Sequence, residues 1–597
     1  MNDVIDTSSS NVVSFSAPRS AAGLTNPLKQ ASLKTHAPSG LPAGFTLIEQ
    51  NIYAVETDED GNDVETHICS GLEVVGLCRS KEGRWGHVLH ITDPDGVVHL
   101  VVLEAAQLVG TPANILKPLV EKGLWVAHGT IVKKHLVNLL QQWKPEARFE
   151  RTRVLGWIDE SFDTFAFADG TSVGKKSIVL DQHLNSVGKA MCARGSLEAW
   201  RETVARPCMG NPLMILALSQ AFVGPLLGPL EMDGGGFHLL GTSSRGKSTL
   251  LGLAASVWGA PQFVQSWRAT DNALEDVAST CSSALLALDE MHQVLPKIAG
   301  DIVYMLANGR GKQRMSSKGS SSGNSWRVAV LSSGEISLED HMMSGNKTVQ
   351  AGQEIRLLGI SAVDRKFGAF DNLHGEANPR IFSEKLKAAT SANYGHAGRC
   401  FVQSVIGKVG EVEPFEGFMN KFVDSVVADR DMQVEGQALR ALKKFAVLAL
   451  AGELATKYGI TGWDSGTALA AAKEMFGLWL DSRDTASKTE VKACCELTRE
   501  WLIANQDELK PVGTGKAGEV VGWRDQNWFY FSPAGWAAIH GHDGAQTAAR
   551  LHDAAGLLRS NSGPTLQWKM PRNSPGRPKV YAVGTVRRHI KWDIRAA

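Results

Sequence analysis

Apolar and polar positions along this chain change rhythm several times, and each change predicts a different architecture. Between residues 41 and 125 the apolar residues come in short strand-like runs, at Leu72–Cys78, Gly86–Thr92 and Val97–Leu103. Asp93-Pro-Asp-Gly96 separates the last two and predicts a hairpin turn. Residues 111–145 read as helical. A second β patch follows at Thr152–Val187, with Arg153–Trp157 and Thr164–Ala168 as its apolar runs. From 196 to 400, strand-like runs alternate with helical periodicity, which predicts a parallel sheet with helices on both faces. Residues 401–510 carry apolar positions three and four apart, predicting helices at Gln437–Tyr458, Gly466–Asp481 and Lys488–Asn505. Beyond 515, Trp528–Phe531 reads as a strand, 544–559 as a helix, and 565–584 as a two-stranded wing around Asn573-Ser-Pro-Gly576.

These changes divide the chain into a Ser-, Ala- and Pro-rich disordered tail (1–40), a β-rich N-terminal domain (41–195), an α/β core (196–400), a helical lid region (401–510) and a basic, winged-helix-like module (511–597). One uncharged run, Pro207–Leu230, is long enough to span a bilayer. It carries Asn211, Ser219, Gln220 and prolines at 207, 212, 225 and 229, so it is read as a buried helix near Leu213–Phe222, with no membrane partner.

Composition alters this picture little. Lys plus Arg and Asp plus Glu are both 62, so any nucleic-acid contact must come from local patches. The eight cysteines form no CxxC pair and no Cys/His group with zinc-finger spacing, which suits a reducing cytoplasm.

The strongest chemical signal is Gly241-Thr242-Ser243-Ser244-Arg245-Gly246-Lys247-Ser248. It follows the apolar run Phe237–Leu240 and precedes the helical stretch Thr249–Trp258, the strand–loop–helix setting of a P-loop. The glycines let backbone N–H groups wrap a triphosphate, and the new helix points its positive end at the same anion. Lys247 would reach the β- and γ-phosphates, Ser248 would ligate Mg²⁺, and Thr249 completes the binding stretch. Ser283–Asp289-Glu290, an apolar strand ending in two acids 42 residues after Lys247, matches a Walker B pattern. Asp289 would hold the metal ion and Glu290 would activate the attacking water, which argues for hydrolysis rather than mere binding. The expected fold is thus a P-loop NTPase of the AAA+ or RecA-like kind, with ATP and Mg²⁺ as cofactors.

Two further positions are expected to complete the site. The next core strand, Val328–Leu331, ends in Ser332-Ser333-Gly334, and either serine would fill a sensor position, Ser333 by preference; a plain Ser-Gly turn is the alternative. Arg356 opens another core strand and would reach a neighbour's γ-phosphate, or else serve as a surface ion-pair partner. Arg399 is a weaker candidate for a second sensor.

Between the acidic pair and the sensor strand, residues 308–327 hold Arg310, Lys312, Arg314, Lys318 and Arg327 with Trp326, and no acid occurs from Ile302 to Gly334. A flexible basic excursion at this point would face the pore of a ring and track a phosphate backbone. Binding of nucleotide at a subunit interface, or a solvated loop without a role, are the alternatives. The tail adds Lys569, Arg572, Arg577, Lys579, Arg587, Arg588, Lys591 and Arg595, interleaved with Trp568, Tyr581 and Trp592. That rim suits duplex or fork binding, or is merely solvated.

Gly241–Pro261, Ser266–Glu275, Leu286–Glu290, Tyr304–Arg314 and Ala351–Arg356, with Gly452–Trp463 and Trp479–Arg483 further on, resemble in order the helicase-like proteins of phages and mobile elements known as the domain of unknown function 927 family. The resemblance runs over roughly 45–510 and does not include the C-terminal module. It implies an ATPase serving replication of such an element, with Lys247, Ser248, Asp289 and Glu290 as nucleotide residues and functional segments at Trp267-Arg268 and Gly309–Arg314. The expected activity is that of a DNA helicase or translocase acting on single-stranded or forked DNA as a homo-oligomeric, hexameric ring, with a separate primase or replication initiator as a further partner. The alternatives are an ATP-switched, origin-binding or helicase-loading scaffold with little unwinding, and a defence or signalling ATPase of the same fold.

Overall fold

The computed structural model describes residues 40–181, 184–311, 314–316, 319–321, 325–345, 347, 351–430, 436–515, 520–542, 544–559, 566–571, 574 and 576–584. The N-terminal tail expected to be disordered, and Lys312, Lys318, Arg572, Asn573, Arg587, Arg588, Lys591, Trp592 and Arg595, lie outside these residues. The chain divides into two compact units, one ending at Gly477 and one beginning at Leu478.

The first unit begins with β structure. Leu72–Arg79, Trp85–Thr92 and Val98–Glu104 form consecutive antiparallel pairs. Asp93 builds the turn between the last two strands, its carboxylate accepting from the Asp95 and Val97 N–H groups. Arg148–Thr152 and Ile178–Leu180 extend this sheet in parallel pairing, which makes it mixed. Helices Pro112–Val120 and Thr130–Gln142 supply Ile115, Leu119, Leu136 and Leu139 to its core.

The segment that positions the candidate chemistry follows. Five strands form one sheet: β1 (Gly235–Leu240), β2 (Gln265–Ser266), β3 (Leu285–Asp289), β4 (Ala329–Gly334) and β5 (Leu357–Ser361). Every pairing is parallel, and the spatial order is β2-β3-β4-β1-β5. Parallel strands need crossovers, and these include α1 (Lys247–Ala255) and α2 (Pro296–Asn308). Strands covered on both faces read as unbroken apolar runs, and Leu285, Leu286, Ala287 and Leu288 are accordingly all buried. The uncharged run becomes the ten-residue helix Pro212–Ala221, with all of 213–221 buried, so it is core packing. Its Gln220 amide donates to the Val330 carbonyl at 3.2 Å. Among the described residues no helix is long and apolar enough to cross a membrane.

Helices Glu413–Arg430 and Gln437–Lys457 follow. The two helices expected after 466 are one continuous element, Thr467–Asn505. In the second unit, five short strands lie in the order Lys510–Pro511, Gly522–Arg524, Trp528–Phe531, Lys579–Gly584, Trp568–Lys569. The helices Pro533–His540 and Ala545–Ala554 pack on them around buried Phe531, Trp536, Ala549 and Val583.

Candidate functional site

Because β1 to β5 run the same way, their C-terminal ends share one edge of the sheet, where the chain leaves strands for loops. Register places Leu240 opposite Gly334 and Ser361, and Asp289 opposite Ser266. The residues singled out in the Gly241–Ser248 and Asp289-Glu290 motifs therefore arrive at the same edge.

The loop after β1 depends on positive φ angles: 150° at Gly241, 62° at Ser244 and 105° at Gly246. A Cβ at Gly241 would also meet Val363 Cγ1 at 2.2 Å, so glycine is required there twice over. Gly246 turns the chain into α1, whose first N–H groups have no partner within the helix. Thr242, Ser243, Ser244 and Arg245 are exposed along the loop, while Thr249 is buried beneath it. Lys247 folds back, its Nζ donating to the carbonyls of Gly241 and Thr242, the latter at 2.8 Å. Burial pulls its pKa below the usual lysine value, partly countered by the charges of Glu335 and Asp289.

Asp289 collects the rest of the site. Ser248 Oγ donates to its Oδ2 at 3.2 Å, Ser333 Oγ donates to its Oδ1, and the Glu290 N–H reaches Oδ1 at 3.1 Å. One carboxylate thus gathers hydroxyls from the loop helix and from the neighbouring strand. Glu290 is held at φ 63° and ψ 64°, a left-handed conformation that costs a glutamate about 1–3 kcal/mol. The Gln293 side-chain amide donates to its carboxylate.

The two serines of β4 are separated by their partners. Ser332 is fully buried between Trp267 Nε1 at 2.8 Å and His238 Nδ1 at 2.9 Å, while Ser333 faces Asp289. His238, buried in β1, has its pKa lowered to about 4 by desolvation. A histidine within an otherwise apolar strand was the available sign of this buried network, but its partners lie on other strands and are distant in the chain. Trp267 belongs to it, and its backbone N–H donates to the Asp289 carbonyl at 3.1 Å. Arg268, next along the chain, is exposed beside it.

Other candidates lie elsewhere. Arg356 precedes β5, at the N-terminal edge of the sheet; its guanidinium donates to Asn308 Oδ1 at 2.9 and 3.1 Å and lies 4.2 Å from the Tyr304 ring centre. Within its own chain it is therefore not at the Lys247 loop. Arg399 is engaged by Asp169 at 2.9 Å and Thr171 at 2.8 Å in the front section. Arg327 is bound by backbone, donating to the carbonyls of Leu227 at 3.2 Å and Gly228 at 2.9 Å.

The basic excursion contains an antiparallel hairpin, where a flexible loop was expected. Arg314–Ser316 pairs with Gly319–Ser321, and the exposed Arg310 bridges Ser325 nearer its base. Buried Trp326 anchors it, donating to the Leu306 carbonyl at 3.0 Å. The hairpin interrupts the connection from α2 to β4, so it departs from the sheet edge opposite Asp289.

Residues 45–325 match the family described as "Domain of unknown function (DUF927)". The match takes in the Gly241–Ser248 loop, Asp289-Glu290 and the hairpin; Arg356 and the motifs beyond it fall outside. A solved structure described as "SCCmec type IV Cch - active helicase" is similar at a TM-score of 0.65 and 16% identity, over 91% of this chain and 97% of that one. At that identity the likeness shows a shared fold. No curated protein matches the sequence.

Proposed function

We propose that this protein is a P-loop ATPase that drives a DNA helicase or translocase of a mobile element. The observation that carries the reading is the meeting of Lys247, Ser248, Asp289 and Ser333 at one edge of a five-stranded parallel sheet. The residues fit a magnesium nucleotide: positive-φ glycines open the backbone, a lysine sits against carbonyls at the helix start, and a hydroxyl already touches an acid. Gly241–Thr249 would hold the phosphates, and Ser248 with Asp289 would hold Mg²⁺. The bound metal would neutralise charge developing on the phosphates.

This chain's own groups account for the remainder. Glu290 orients and deprotonates the attacking water, and Gln293 holds its carboxylate. Ser333 reports on the same centre from β4. That strand begins just after the hairpin and carries Ser333 next to its last residue, Gly334, so a shift at one end is transmitted to the other. The basic excursion over 308–327, whose sequence holds Arg310, Lys312, Arg314 and Lys318, is the element that contacts single-stranded DNA. Arg356, facing away from its own loop, serves the loop of a neighbouring subunit in a ring, the hexamer being the expected form. The similarity to a helicase over nearly the whole chain supports this reading.

The test is strand separation on a forked duplex with ATP and Mg²⁺. Unwinding that disappears on Lys247→Ala is expected. ATP turnover without unwinding, together with protection of one duplex sequence, would instead favour the loader reading.

A further inference from the structure

The C-terminal unit contains a second constellation that the nucleotide chemistry does not use. Cys494 lies on the helix Thr467–Asn505, His540 ends the helix Pro533–His540, and His552 lies in Ala545–Ala554. One ligand atom from each falls within 4.8 Å of the other two. His552 and Thr498 are fully buried, and Cys494 and His540 are half-buried.

The hydrogen bonds orient these groups. His552 Nδ1 lies 2.8 Å from the Ala548 carbonyl, which can only accept, so Nδ1 carries the proton and Nε2 keeps its lone pair. That Nε2 is 2.9 Å from Thr498 Oγ1, and His540 Nε2 is 3.0 Å from the same oxygen. With its proton on Nε2, His540 donates to the hydroxyl, which in turn donates to His552 Nε2, so the three side chains converge as one hydrogen-bonded cluster that an ion would replace. Cys494 Sγ stands 4.0 Å from His540 Nδ1 and 3.8 Å from His552 Nδ1. Trp536 packs against both rings, at 4.4 and 5.0 Å between centres, and closes the apolar side.

We propose that Cys494, His540 and His552 bind a divalent ion of the zinc type, with Thr498 Oγ1 or a water as the fourth donor. One thiolate with two imidazoles is a zinc donor set. The His552 Nδ1–H bond to a backbone carbonyl is the outer contact that fixes a ligating imidazole. Tetrahedral zinc brings its S and N ligands to about 3.4–3.6 Å from one another, so the cluster closes by roughly 1 Å through side-chain rotation. Binding forms a Zn–S bond and releases the thiol proton to solvent; both imidazoles enter neutral. The ion ties three helices together and acts structurally. Because Cys494 and His540 are 46 residues apart, the pattern has no zinc-finger spacing.

Full-length protein purified without chelator is assayed for metal by mass spectrometry and then reconstituted with Co²⁺. The expected result is one zinc per chain and a sulfur-to-cobalt charge-transfer band with tetrahedral d–d absorption. Cys494→Ser loses the band, whereas Cys495→Ala, a neighbouring thiol packed against Ala555 and Leu557, retains it. Should Cys494→Ser fail to fold by circular dichroism, alkylation of the apoprotein before cobalt addition provides the same comparison and abolishes the band. Metal-free wild type that yields no band, or a band that survives loss or alkylation of Cys494, overturns the proposal. None of these readouts depends on ATP turnover, so the site stands or falls apart from the motor.

Discussion

The two edges of the core sheet carry different kinds of chemistry. At the C-terminal edge, polar groups converge on one carboxylate: Ser248, Ser333 and the Glu290 N–H all donate to Asp289. At the N-terminal edge the described cations stand apart: Arg310 is exposed where its backbone bridges Ser325, and Arg356 is held by Asn308. The first arrangement suits a compact, multiply charged ligand. The second suits an extended polyanion or a neighbouring subunit. β4 joins them, so the difference suggests a division of labour between hydrolysis and movement.

The comparison breaks most sharply at Lys247. Lys247→Ala should lower ATP turnover by about 10²–10³-fold while leaving the circular dichroism spectrum unchanged, since loss of one preorganised charge contact has that scale. Glu290→Gln should lower turnover by about 10²–10⁴-fold yet retain bound nucleotide in a filter assay. Normal turnover in either variant would detach hydrolysis from this edge.

Smaller effects sharpen it. Ser333→Ala should cost turnover about tenfold, the worth of one hydrogen bond to a charged group. Ser332→Ala, which removes the partner of His238 and Trp267, should instead lower the melting temperature. In the basic excursion, Arg314→Ala with Lys318→Ala should abolish DNA stimulation but spare basal turnover. The slope of log affinity against log salt should become shallower by about one for each phosphate contact removed.

A further test concerns pH and stability rather than turnover. His238 titrates near 4 when folded, against 6.5 for its ordinary value. The unfolded chain therefore binds the extra proton first, so this stability is present above about pH 6.5 and is lost as pH falls towards 4. The loss amounts to at most about 3 kcal/mol. Denaturant titrations of wild type and His238→Asn between pH 7 and 4.5 should show a shallower decline in the variant; parallel declines would contradict it.

What was legible in the sequence follows the same physics. Gly241–Ser248 and Asp289-Glu290 stood out because strand, loop and helix are adjacent in the chain and the spacing carries the chemistry. The parallel sheet was readable because its covered faces make β3 an unbroken apolar run and β1, β4 and β5 mostly apolar. The hairpin was not, because Ser, Gly and Lys supply no alternation for a period of two to reveal. The single helix Thr467–Asn505 read as two because Ser482–Glu490 is a polar stretch that interrupts the apolar stripe. The separate partners of Ser332 and Ser333 appear only once β1, β3 and β4 are side by side. Cys494, His540 and His552 were missed for the same reason: only folding brings distant positions on three helices together.

The central claim is that nucleotide hydrolysis at the Lys247 loop is coupled to a nucleic acid held at the far edge. The most direct measurement is steady-state ATP turnover with and without single-stranded DNA, for wild type, Lys247→Ala and the Arg314/Lys318 double variant. The account predicts stimulation by DNA in wild type, turnover lowered by about 10²–10³-fold in the first variant, and unstimulated basal turnover in the second. Turnover that ignores DNA in wild type, or survives loss of Lys247, would contradict it.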